Sequence, residues 1–370
     1  LLVERSPGPH APAEGRRERT WPAVVALYLI APVVAELLSG STPPRGWNNL
    51  GGIVLTVGLY GSGALLAREV ARARGLSWGN LAVLGAAYGV LEEGVAYQSW
   101  FNPTWTPPPD AARVFDVNWT FAVGFTTIHA VLSVTTSVVL AEALFPSLAA
   151  RPWLGRVGRV AFAVWLALIV AVLVFSYGFT IFHGKGYDHP PVSYVIAPTL
   201  FVVFLLLGTV VRIPPVRTTP GLRSPGLWAL RLAGFLGAFI VLLNLFILRV
   251  IIPIHVIPIA IILATDALGV YLVRRWARGA GWGMRQRLAL VSGVMGVFIL
   301  FAPVIEFVVP TPALRGITVV NMLGLAGLIF LACRVASFEA HGGAPAAPPA
   351  APATPAAPAT PAAPATPAAL

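Results

Sequence analysis

Ten apolar runs of close to twenty residues set the limits on what this chain can become. They lie at about 21–38, 51–67, 78–98, 119–144, 160–182, 192–211, 227–248, 254–273, 288–309 and 314–333. A helix rises about 1.5 Å per residue, so a run of roughly 20 apolar residues crosses the hydrocarbon core of a bilayer. Charged residues are 11% of the 370, against about 25% in ordinary soluble domains. That is too few to clothe water-soluble cores of this length, and a soluble enzyme is excluded. The pattern predicts an all-α fold, a polytopic membrane bundle of about ten transmembrane helices. No small-residue cleavage site of the A-x-A kind follows the first run, which therefore reads as a retained helix.

The positive charge is sorted along the chain. Counting from an N-terminus placed in the cytoplasm, the cytoplasmic segments hold nineteen arginines, in groups such as Arg68, Arg72 and Arg74 or Arg274, Arg275 and Arg278. The five opposite loops hold one Lys or Arg each: Arg45, Arg113, Lys185, Arg249 and Arg315. Basic residues favour the cytoplasmic side of a membrane protein, so both termini are expected there. The net charge of +11 then marks topology and requires no nucleic-acid partner. Three regions follow: a basic cytoplasmic segment at 1–20, the helix bundle at 21–333, and an Ala/Pro/Thr tail at 342–370. The tail repeats every six residues, at Thr354, Thr360 and Thr366, and is expected to be a disordered, polyproline-like arm on the cytoplasmic side. The single cysteine, Cys333, excludes an internal disulfide, and no Cys/His metal spacing occurs.

With so few charges, each acid inside a span stands out. An ionisable group there normally faces the bundle interior or a water-filled cavity. Glu36 falls near the end of the first run, Glu92 and Glu93 in the third, and Glu306 near the end of the ninth, all towards the expected outer face. His129 lies ten residues into the fourth run, about 15 Å deep at the helical rise. It shares one helical face with Thr126, Ser133 and Thr136. His255, between Pro253 and Pro258, marks a broken-helix candidate. Glu69, Glu142 and Asp266 are the acids expected nearer the cytoplasm, and His183 and His189 are expected to be solvated loop residues. Successive helical residues point about 100° apart, so Glu92 and Glu93 are expected to need partners on more than one helix. Tyr88 and Tyr97, each four residues from one of them, are placed to donate hydrogen bonds. Gly85 and Gly89 form a small-xxx-small pair that admits a close neighbour, and Gly61-Ser62-Gly63 reads as another packing site. The proline-rich loop Asn102–Asp110 is placed to roof an outer cavity or to anchor at the interface.

Two resemblances follow from these residues. Ala35-Glu36-Leu37-Leu38-Ser39-Gly40, Tyr60-Gly61-Ser62-Gly63, Tyr88-Gly89-Val90-Leu91-Glu92-Glu93-Gly94 and Phe101-Asn102-Pro103, continued by Val117-Asn118-Trp119 through Glu142-Ala143-Leu144-Phe145-Pro146, are similar to an uncharacterised family of bacterial and archaeal polytopic membrane proteins. That resemblance implies a prokaryotic cytoplasmic membrane as the location. Glu92-Glu93 followed by Phe125-Thr126-Thr127-Ile128-His129 resembles the EExxxR and FxxxH motifs of the CAAX-protease and bacteriocin-processing family. Carried over, the resemblance implies Glu92 or Glu93 as general base and His129 as a group that positions or polarises a membrane peptide. The sequence departs from that family at Tyr97, which stands where its arginine falls, and it has no HxxxN motif.

The leading expectation is a transporter-like protein in which Glu36, Glu92, Glu93, His129, His255 and Glu306 bind a cation, a proton or a small polar solute. A divalent metal on Glu93 and His129 is one form of this. The alternatives are an intramembrane hydrolase using Glu92, Glu93 and His129, and a structural or assembly role without a chemical site.

Overall fold

The computed structural model describes residues 18–103, 105, 113–179, 190–252, 254 and 256–343. The expectations for residues 1–17 of the N-terminal basic segment, Asp110, His183, His189, Pro253, His255 and the Ala/Pro/Thr tail fall outside these residues, apart from the tail's first two glycines.

The described chain is a helix bundle: α1 (Trp21–Leu38), α2 (Leu50–Ala73), α3 (Trp78–Gly89, continued by Val90–Ala96), α4 (Trp119–Leu144), α5 (Arg156–Phe179), α6 (Ser193–Thr209), α7 (Leu227–Ile251), α8 (Val256–Trp276), α9 (Met284–Val308) and α10 (Ile317–Ala340). Each matches one apolar run. Eight are long and apolar enough to cross a membrane. The other two are α6, with 17 residues, and α3, whose apolar character is interrupted by Glu92 and Glu93. The all-α polytopic architecture expected from the sequence is therefore present. Among the described residues, the only strands are a two-residue pair, Arg113–Val114 against Val117–Asn118. Phe115 and Asp116 turn it with φ of 52° and 59°, the left-handed pair that a tight hairpin needs.

Polar residues set several helix starts. Asn49, Ser77 and Asn118 each accept a hydrogen bond from the first turn of α2, α3 and α4, as a capping residue does. About half of the hydrophobic stretch of α1, α2, α4 and α9 is buried, whereas α5, α8 and α10 turn most of theirs outward. Leu168, Leu268 and Leu323 are among the large apolar side chains left facing out, as helices with lipid for a neighbour require. The inner helices meet through Leu27, Leu59, Leu65, Tyr88 and Val134 on one side and Leu132, Val139, Leu288 and Val291 on another.

One end of the bundle gathers the arginines. Arg68 bonds Glu69 at 2.7 Å and Glu142 at 3.0 Å, and donates to the carbonyls of Leu148, Ala149 and Arg151. Arg72 grips both oxygens of Glu142 at 2.9 Å. Glu69 accepts from the backbone N–H groups of Trp153 and Leu154, and the Arg68 guanidinium stacks 3.3 Å from the centre of the Trp153 ring. Arg151 with Glu18 and Arg285 with Glu339 lie at this same end. The start of α1 and the end of α10 are thus on one side, as the alternation of basic loops requires.

Candidate functional site

Among the described residues, four helices leave α geometry: α7 at Asn244–Leu248 and, at the other half of the bundle from the arginines, three more. Val33–Leu38 in α1, Val90–Ala96 in α3 and His129–Thr136 in α4 are π-helical. In such turns an N–H bonds five residues back, as Tyr97 does to the Glu92 carbonyl at 2.8 Å. These turns are uncommon and frequently mark functional positions. The three carry Glu36, the Glu92-Glu93 pair, and His129.

The geometry brings Glu92, Glu93 and His129 together. Nε2 of His129 lies 3.2 Å from Oε1 of Glu93, and Nδ1 lies 3.2 Å from Oε2 of Glu92. Nδ1 is also 3.0 Å from the Ser133 hydroxyl, one helical turn along the polar face read from the sequence. The Ser99 hydroxyl donates to the second oxygen of Glu93. All three side chains are buried, Glu92 to 1% exposure. Two adjacent glutamates thus meet one imidazole on α4, and Glu92 also meets the Tyr60 hydroxyl of α2. The physical reason is twofold: the wider π turn separates neighbouring side chains by a smaller angle than an α turn, and a histidine offers a nitrogen on each side of its ring.

The close approach depends on the predicted small residues. A Cβ on Gly89 would sit 2.8 Å from the Cβ of His129, and one on Gly85 would sit 2.9 Å from the Cα of Ala130. Gly61 and Gly63 likewise let Tyr28 and Tyr88 lie against α2. Around the imidazole stand Tyr60, Tyr88 and Phe125, with ring centres 6.1, 5.9 and 6.1 Å away. Burial among these aromatic rings lowers the local dielectric, which strengthens every charge interaction within the cluster.

Glu36 joins the cluster through Tyr60, whose hydroxyl donates to one of its oxygens while the Thr42 hydroxyl donates to the other. Tyr60, Thr42 and Ser99 were not singled out from the sequence. Tyr60 sits next to Gly61 in a long apolar helix, and nothing in its spacing distinguishes it from a packing residue. Tyr97 packs edge-on against Tyr177, with ring centres 5.0 Å apart. Glu306 binds the backbone N–H groups of Gly316 and Thr318 at 2.7 and 3.0 Å, so it holds the start of α10. Asp266 accepts from the Thr127 hydroxyl at 2.6 Å, tying α8 to α4.

One ligand atom from each of Glu92, Glu93 and His129 lies within 4.8 Å of the other two. Two carboxylate oxygens and an imidazole nitrogen suit zinc, manganese or ferrous iron, and a hydrogen-bonded carboxylate–imidazole group equally suits a proton.

Fold and site together define a multi-pass α-helical membrane protein with a buried acid–histidine centre. The chain belongs to a family described as an uncharacterized membrane protein family, whose sequence profile matches residues 25–349. No curated protein matches it, and no solved structure does.

Proposed function

We propose that this is a transporter-like membrane protein whose Glu92–Glu93–His129 cluster, with Glu36 beside it, binds a cation, with the arginine-rich end and both termini in the cytoplasm of a prokaryotic cell. One observation carries the reading. At the arginine-rich end the buried acids Glu69 and Glu142 are matched by Arg68 and Arg72. At the cluster, among the described residues, the only salt-bridge partner of Glu92 and Glu93 is His129. Two buried carboxylates, with a third nearby, face a single imidazole. An unbalanced buried negative charge costs several kcal/mol, and a bound proton or metal ion removes it.

The test is titration of the purified protein with Zn2+ or Mn2+ and, separately, proton uptake followed with a pH indicator, each repeated for E92Q, E93Q and H129A. Saturable binding that these substitutions abolish supports the reading, and cation-driven flux in proteoliposomes completes it. Wild-type protein that binds neither metal nor proton at this cluster overturns it.

The hydrolase reading has its own support: the two segments resembling EExxxR and FxxxH meet at 3.2 Å. In that case Glu93, oriented by Ser99, activates water as general base and His129 polarises the peptide carbonyl. Cleavage of a membrane-spanning peptide by wild type and not by E93Q is the deciding result.

A further inference from the structure

We propose that the end of α8 is a binding site for the headgroup of an anionic phospholipid. Tyr271, Arg274, Arg275 and Arg278 line a cavity of about 180 Å3. The lining has three guanidinium groups and no carboxylate. Elsewhere at this end Arg68, Arg72, Arg151 and Arg285 each meet a glutamate. Among the described residues Arg274, Arg275 and Arg278 form no ion pair, and Arg275 donates to the Tyr271 hydroxyl at 3.4 Å. Planar guanidinium forks match the oxygens of a phosphate, which is why arginine clusters recognise it.

The cavity is also built. The backbone that follows α8 is docked on the preceding loop: Thr219 N–H bonds the Arg278 carbonyl at 2.8 Å, Ala280 N–H bonds Leu222 at 2.8 Å, and the Ser224 hydroxyl donates towards the carbonyls of Trp276 and Gly279. Arg278 is thereby fixed relative to Arg274 and Arg275, one helical turn earlier. A lipid is favoured over a soluble anion by what continues from the cavity along the helix. Leu263, Leu268 and Val270 are exposed on α8, so an acyl chain finds apolar surface directly beneath the arginines. The site sits where the spanning helix ends, at the level of headgroups, and basic residues near such a surface favour anionic lipid.

The experiment is native mass spectrometry of the full-length protein from micelles containing equal phosphatidylglycerol and phosphatidylcholine. Wild type is expected to retain phosphatidylglycerol at least about tenfold over phosphatidylcholine. The variant R274Q/R275Q/R278Q is expected to lose that preference, while R74Q/R212Q/R217Q, which removes the same charge from exposed positions outside the cavity, keeps it. If the glutamine variant fails to fold, R274K/R275K/R278K keeps the charge but not the forks and is expected to lose the preference several-fold. No preference in wild type overturns the proposal. So does an equal loss in the control variant, which would make the effect one of diffuse charge, and so does displacement of the lipid by millimolar inorganic phosphate, which would make the occupant a soluble anion.

Discussion

Removing a buried carboxylate should have opposite consequences at the two ends of this bundle. Glu142, 1% exposed, accepts from Arg68 at 3.0 Å and from Arg72 twice at 2.9 Å. In Glu142→Gln two guanidiniums are left with Glu69 as the one carboxylate between them, and breaking a buried pair in this way costs about 3–5 kcal/mol. Glu92, equally buried, shares His129 with Glu93 and has no arginine partner among the described residues. Glu92→Gln keeps the volume and one acceptor while removing a like charge, so its effect should lie between zero and a gain of about 2 kcal/mol in the absence of bound cation. Tryptophan fluorescence during thermal unfolding in lipid nanodiscs reads both, since the chain has 11 tryptophans. The expected result is a large fall in the midpoint for Glu142→Gln and none, or a rise, for Glu92→Gln. If Glu92→Gln destabilises as much as Glu142→Gln in metal-free buffer, the charge imbalance that underlies the cation reading does not exist.

Three smaller perturbations test the construction of the site. Gly89→Ala places a methyl 2.8 Å from the His129 Cβ, and the resulting overpacking should cost about 1–3 kcal/mol and weaken cation binding together with stability. Asn118→Ala removes the acceptor for the Phe121 N–H at the start of α4 and should cost about 1 kcal/mol in the same melt while leaving cation affinity unchanged. Glu306→Ala releases the N–H groups of Gly316 and Thr318; hydrogen exchange should accelerate over the first turn of α10, and unchanged exchange there would show that the carboxylate does not hold that helix.

The helices were legible because the apolar runs and the arginine spacing answer to one requirement, burial in lipid. The site was legible in part for the same reason: an acid or histidine inside a span is costly enough to be noticed. Glu36, Glu92, Glu93 and His129 were found on that ground, and the glycines beside them because helices cannot approach otherwise. Tyr60 and Ser99 were not found, since a tyrosine or serine in such a helix is cheap and carries no spacing signal. Glu306 was read as a binding group from its depth alone, and only the fold reveals that its oxygens are taken by the backbone of α10. The pairing of Glu142 with Arg68 and Arg72 was hidden too, because it joins residues 74 and 70 positions apart.

The π turns explain how a site of this kind arises in a bundle otherwise built for packing. A regular α-helix points adjacent side chains about 100° apart, which would send Glu92 towards His129 and Glu93 elsewhere. The turn at Val90–Ala96 holds one more residue than an α turn and lets both carboxylates face α4. Deleting Val95, a half-buried residue of that turn, should restore α geometry and turn one glutamate away. The helix remains apolar along most of its length, so the fold should survive with a stability within about 1–3 kcal/mol of wild type. The coupling between Glu93→Gln and His129→Gln, read from a double-mutant cycle on stability, should then fall towards zero, while that between Glu142→Gln and Arg72→Gln stays intact. Preserved coupling at Glu93 after the deletion would mean that the π turn is incidental to the site, and that the glycine contacts alone bring the two helices into register.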